Sequence, residues 1–140
     1  MTPMSKRPPP GSPEDWLAHA KSDLHLARLG KDRPEILPEQ VCFHAQQAAE
    51  KALKGAFLSR RIEFPLTHDI EELLEMAERS GLHVPPPVAD AGSLTPYAVA
   101  SRYPGSWEEI SSPEVDEAIR SAEEVVTWAT TLIADQGKTL

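Results

Sequence analysis

Pro38-Glu39-Gln40-Val41-Cys42-Phe43-His44-Ala45-Gln46-Gln47-Ala48-Ala49-Glu50-Lys51-Ala52-Leu53-Lys54-Gly55-Ala56-Phe57-Leu58-Ser59-Arg60 is the stretch on which the fold turns. Val41, Ala45, Ala48, Ala49, Ala52, Leu53 and Ala56 recur every three or four residues, the spacing of one helix face, and Pro38 stands where a first-turn proline loses no needed donor. A face built of alanine lets a neighbouring backbone come near the short end of the roughly 8–10 Å range of interaxial distances. The other side carries His44, Gln47, Lys51 and Lys54 at steps of three, four and three, within about a quarter of the circumference. A helix with one such buried face needs partners, which the flanking sequence supplies.

Upstream, Ser12-Pro13-Glu14-Asp15 joins a capping hydroxyl, a first-turn proline and acids at the positive end of a helix dipole. Trp16, Leu17, Ala20, Leu24 and Ala27 then stripe a helix ending near Gly30, and Pro34 and Pro38 bracket a loop. Downstream, Pro65 breaks the path and Thr67 can cap a third helix striped by Ile70, Leu73, Leu74 and Ala77 that stops at Gly81. Residues 88 to 101 read as weakly helical with Pro96 inside, closed by a turn at Ser101-Arg102-Tyr103-Pro104-Gly105. Ser112-Pro113-Glu114 starts a last helix carrying Val115, Ala118, Ile119, Ala122, Val125, Val126, Ala129, Leu132 and Ile133. No alternating run bounded by hairpin turns interrupts this series, so an all-α, up-and-down four-helix bundle with a short additional helix is expected. The heptad row 115, 122, 129 with 118, 125, 132 beside it offers more apolar length than the shorter helices cover, which makes a homodimer plausible.

At 140 residues the chain is sized for one domain, able to bury about two thirds of its unfolded surface without a staple. Residues 1 to 11, with Pro3, Pro8, Pro9 and Pro10 and little to bury, read as a disordered tail, 12–136 as the domain and 137–140 as a second tail. Cys42 is the single cysteine, which excludes an internal disulfide and fits a reducing compartment. No stretch approaches the roughly 20 apolar residues of a membrane span, and the opening residues lack the apolar run of a secretory signal, so a cytoplasmic protein is expected. Fourteen basic against 22 acidic side chains, a net charge of −8, argue against a sequence-independent duplex DNA binder.

The charge is uneven: residues 41 to 61 are net +3 and residues 63 to 80 net −5. Two readings of the basic island stand side by side. In one, Lys51, Lys54 and an arginine meet phosphate, helped by His44 and Gln47 as hydrogen-bond donors; in the other they are a solvated face in ion pairs with acidic neighbours. Arg61 and His68 form an Arg-x6-His pair across Phe64-Pro65, able in principle to move a proton on a ribose 2′-hydroxyl and to steady a phosphorane without a metal, while His68 is also ordinary helix-entrance chemistry. Arg102 with Tyr97 and Tyr103 can clamp and stack a nucleotide, or plug the end of the bundle. His19 and His25 are spaced wrongly to share a metal, and the glycine loops of P-loop, dinucleotide and hydrolase-elbow sites are missing, so no cofactor or metal is expected.

Phe43-His44-Ala45-Gln46-Gln47-Ala48-Ala49-Glu50-Lys51-Ala52-Leu53-Lys54, then Thr67-His68-Asp69-Ile70-Glu71-Glu72-Leu73-Leu74, then Tyr97 and Arg102-Tyr103-Pro104, resemble the HEPN domain family of prokaryotes over about residues 13 to 135. The resemblance implies a helical bundle, usually dimeric, often encoded beside a minimal nucleotidyltransferase with which it forms a toxin and antitoxin pair. It also implies nucleotide binding and, in many members, metal-independent endoribonuclease activity through an Arg-x4-6-His motif placed late in the chain. Arg102 holds that late position, but none of the six residues after it is histidine, and Trp107 occupies the fifth. Three functions follow as expectations: a subunit binding a nucleotide or a nucleotidyltransferase through His44, Gln47, Lys51, Lys54, Arg102 and Tyr103; a ribonuclease toxin using His68 with Arg61 or Arg102; or a structural dimer used for docking.

Overall fold

Each helix begins where local chemistry places it. In the computed structural model, which describes residues 7–100 and 109–136, the Ser12 hydroxyl accepts the Asp15 N–H at 3.1 Å and opens α1 (Pro13–Lys31). α2 (Pro38–Ser59) starts without a side-chain cap, its proline standing in the first turn. α3 (Ile70–Arg79) is capped by Asp69, whose carboxylate accepts the Glu72 N–H at 3.1 Å. Thr67, the residue expected to cap it, instead accepts the Asp69 N–H, because the shorter reach of its hydroxyl serves the turn before the cap. The weak segment resolves into α4 (Pro86–Ala89), a 3₁₀ turn (Asp90–Leu94) and α5 (Tyr97–Ala100), with Pro96 just ahead of α5 rather than inside a helix. α6 (Ser112–Gln136) closes the bundle, and no strand occurs among the described residues.

α2 is the central rod, packed along α1 on one side and α6 on the other, while α1 and α6 also touch. Ala45, Ala48, Ala49, Ala52 and Ala56 are wholly buried, as are Ala20 and Ala27 of α1 and Ala122 and Ala129 of α6. Two glycines bring α2 still closer to what precedes it. A Cβ on Gly55 would lie 3.0 Å from Trp16 Cβ and 3.1 Å from the Pro13 carbonyl oxygen, and one on Gly30, inside α1, would lie 3.1 Å from both Ile36 and Val41. Phe57, Leu53, Ile70, Leu73, Leu94 and Val125 fill the remaining volume.

The heptad row of α6 does not form surplus surface. Val115, Ala118, Ala122, Val125 and Ala129 are all buried within the chain and Leu132 is half-buried, because α1, α2, α4 and the 3₁₀ turn together cover the length that three short helices would have left bare. Exposed apolar side chains lie elsewhere: Leu26, Leu29, Ile36 and Leu37 around the α1–α2 connection, and Leu58 and Leu66 further along.

α2 and α3 end in the same device. Gly81, at φ 93°, lets Leu82 N–H reach back to Ala77 O at 3.0 Å. Arg61, at φ 58°, does the same for Ile62 N–H and Phe57 O at 2.9 Å, although a side chain in this left-handed region costs about 1–2 kcal/mol. Arg61→Gly is expected to stabilise the fold, by up to about 1 kcal/mol after the added flexibility of the unfolded chain is subtracted, read as a higher urea midpoint. An unchanged or lower midpoint would show that the Arg61 side chain contributes as much as its backbone strain removes.

Candidate functional site

Asp23 lies on the α1 stripe, three residues after Ala20 and four before Ala27, and is buried against α2. Its carboxylate accepts from two side chains two turns apart on α2: Lys51 Nζ on one oxygen at 2.6 Å and His44 Nδ1 on the other at 3.0 Å. A carboxylate only accepts, so Nδ1 of His44 carries the donated proton and Nε2 is left for another partner. His44 and Lys51 side chains retain 33% and 28% of their exposure, so both keep a face toward solvent.

Glu50 builds a second cluster of the same kind. It accepts from Lys54 Nζ at 2.9 Å, Gln46 Nε2 at 3.0 Å and His68 Nδ1 at 3.0 Å. Burial alone would raise its carboxyl pKa, but the hydrogen bonds from Lys54, Gln46 and His68 and the charge of Lys54 outweigh it and hold the group below its ordinary value. Gln46 also donates to the His68 carbonyl at 3.1 Å and accepts from Gln47 at 2.7 Å, so α2 grips the entrance to α3. Lys54, its side chain only 7% exposed, lies 5.7 Å from the centre of the Phe64 ring. His68, by contrast, has 62% of its side chain in solvent.

The polar strip is therefore not a row of free cations. His44 and Lys51 are gathered on Asp23, Lys54 is sealed with Glu50, and Gln47 is tied to Gln46. His68 joins Glu50 rather than Arg61, which is exposed at the end of α2 and makes no side-chain hydrogen bond or ion pair among the described residues. Arg102 and Tyr103 lie outside the described residues. Asp23 and Glu50, the two hubs, escaped the sequence reading; the available signal was an acid sitting in register with an apolar stripe on each helix.

Two cavities adjoin the Asp23 cluster. One of about 600 Å³ opens between the end of α1 and the start of α2, lined by Leu26, Leu29, Ile36, Leu37, Arg33 and His44. The other, about 250 Å³, is lined by Gly11, Asp15, Trp16, His19 and Lys51. Cys42 is buried with its thiol pushed up to about 12, chiefly by burial, which makes it an inert core group. Tyr97 donates its hydroxyl to Glu114 and closes that end of α6.

A family model described as HEPN domain matches residues 13–132. The chain belongs to the HEPN domain family. Among solved structures it is similar to ST0689, an archaeal HEPN homologue, at 31% identity over 87% of this chain and 98% of that one, with a TM-score of 0.68. It is also similar to TT1696 from Thermus thermophilus, at 29% identity over 86% and 97% of the two chains, TM-score 0.67. A HEPN domain protein of Thermotoga maritima shares the fold at 23% identity and a TM-score of 0.50, covering 88% and 94%. The comparison with curated proteins returns no match. In this HEPN domain both carboxylate hubs lie within the matched span, on or against α2.

Replacing Glu50 by Gln leaves the Lys54 charge buried without its counter-ion and is expected to lower stability by about 3–5 kcal/mol in urea unfolding, a loss largely reversed by adding Lys54→Met. Because the folded carboxyl titrates below the ordinary value of 4.5, its contribution is complete above that pH and drains away as pH falls below it. The wild-type urea midpoint should accordingly fall more steeply below pH 4.5 than that of Glu50→Gln; parallel pH curves would refute the assignment.

Proposed function

We propose that this HEPN domain is a nucleotide-binding subunit that works in the cytoplasm as a homodimer beside a minimal nucleotidyltransferase, in a toxin–antitoxin type module, with residues 12–136 as its working unit. One observation carries the nucleotide part. Asp23 holds an imidazole and an ammonium side by side on the α1–α2 face, with Nε2 of His44 left at the edge of a cavity of about 600 Å³. The ammonium of Lys51 retains further donors for a phosphate oxygen, Gln47 stands between the two on the same helix face, and Leu26, Leu29, Ile36 and Leu37 offer apolar surface to a base. Lys54 supports the face from within by compensating Glu50. Arg102 and Tyr103 are assigned to the same nucleotide from the sequence alone.

A second reading, a metal-independent ribonuclease, draws on the His68–Glu50 pair. A buried carboxylate orients an imidazole that is otherwise in solvent, which is the arrangement a general base requires, with Arg61 or Arg102 as the cation for the phosphorane.

Calorimetric titration with ATP and GTP separates the two. Binding to the wild type, weakened about tenfold in His44→Ala and in Lys51→Ala, is expected for the first reading; no heat at millimolar nucleotide would remove it. For the second, growth arrest on expression should vanish in His68→Ala. Arrest that persists would exclude His68 as the base.

A further inference from the structure

Trp16, His19, Asp23, Leu26 and Gly30 follow one another at three or four residues along α1, and Gln40, His44, Gln47 and Lys51 do so along α2, so both series border a single groove. The Asp23 carboxylate spans it at the middle. The two cavities meet that cluster from opposite ends, one sharing His44 and the other sharing Lys51. Between His19 and Leu26 the seven-residue separation along α1 is about 10.5 Å.

The two ends differ from the middle in the chemistry they accept. Leu26, Leu29, Ile36 and Leu37 give the larger cavity an apolar wall, and the two charged residues that also line it, Arg33 and Glu35, are of opposite sign. The smaller presents the Trp16 and His19 rings, and Asp15, 3.6 Å from His19 Nε2 and holding the Gly11 N–H at 2.9 Å, sets a negative charge there that repels a phosphate tail. Flat, uncharged, stacking groups suit both ends. The middle carries Asp23 against Lys51, with the His44 imidazole as the third group, so one carboxylate already answers the ammonium there. That balance matches one negative charge and not a triphosphate.

We propose that the groove takes two bases joined by one phosphodiester, the linkage lying over the Asp23–His44–Lys51 cluster, one base in the Leu26–Leu37 cavity and the other against Trp16 and His19. This deepens the nucleotide reading above and rests on it: the ligand class becomes a dinucleotide or a two-base segment of a single strand rather than a nucleoside triphosphate.

Calorimetry on the full chain with adenylyl-(3′→5′)-adenosine, AMP and ATP decides the matter. The dinucleotide should bind about tenfold or more tightly than either mononucleotide, despite carrying the least charge. His19→Ala, at a side chain 52% exposed, should remove most of that advantage while leaving the circular dichroism spectrum unchanged. A gain in affinity on passing from AMP to the hexanucleotide (Ap)₅A that survives in His19→Ala would place the extra contact elsewhere and overturn the two-base site. Affinities ranked by charge, with ATP first and the dinucleotide last, would overturn it too while leaving nucleotide binding intact. Absence of binding by all probes would remove both.

Discussion

Close approach of the α2 backbone to α1 is the constraint from which the other features follow. Alanine on both facing surfaces, and glycine at the two tightest points, bring the helices near enough for Gly55 to lie almost against the Pro13 carbonyl. At that separation a short aspartate on α1 can reach a histidine and a lysine on α2 at hydrogen-bond distance. Larger side chains along the seam would push the helices apart, and the Asp23 carboxylate would be left buried with fewer partners, a condition no folded protein tolerates cheaply.

Charge compensation then shapes the surface. A net positive stretch of sequence became a face whose cations are largely answered by two buried carboxylates, each serving one lysine and one histidine. In both clusters the carboxylate fixes the imidazole through Nδ1 and leaves the other ring nitrogen outward, so the pairs are alike in chemistry and different in setting: His44 sits at a cavity rim, His68 in open solvent. The Glu50 cluster has a further structural duty, since Gln46 and His68 tie the loop before α3 to the middle of α2.

Apolar surface is distributed by the same packing. Most of the long seam of α6 is absorbed inside the chain, and four of the exposed apolar side chains, Leu26, Leu29, Ile36 and Leu37, gather at the α1–α2 connection, beside His44. Four apolar side chains so grouped form a small exposed patch next to the Asp23 cluster.

Residue spacing alone determined that the chain is helical, where its main helices begin and end, and that Ala45 to Ala56 form the central face; the three-to-four residue periodicity and the prolines at helix starts are local properties, readable without knowing what lies opposite. The family was legible for the same reason, since the stretches that carry the resemblance, 43–54 and 67–74 among them, are local runs of sequence. Only the tertiary structure decided that Asp23 and Glu50 are the hubs, that Lys54 is sealed, that His68 pairs with an acid instead of Arg61, and that the α6 seam is spent within the protomer. Each of those depends on which residues face one another across a helix interface. That pairing is set by interaxial distance and rotation, quantities that no one-dimensional spacing contains.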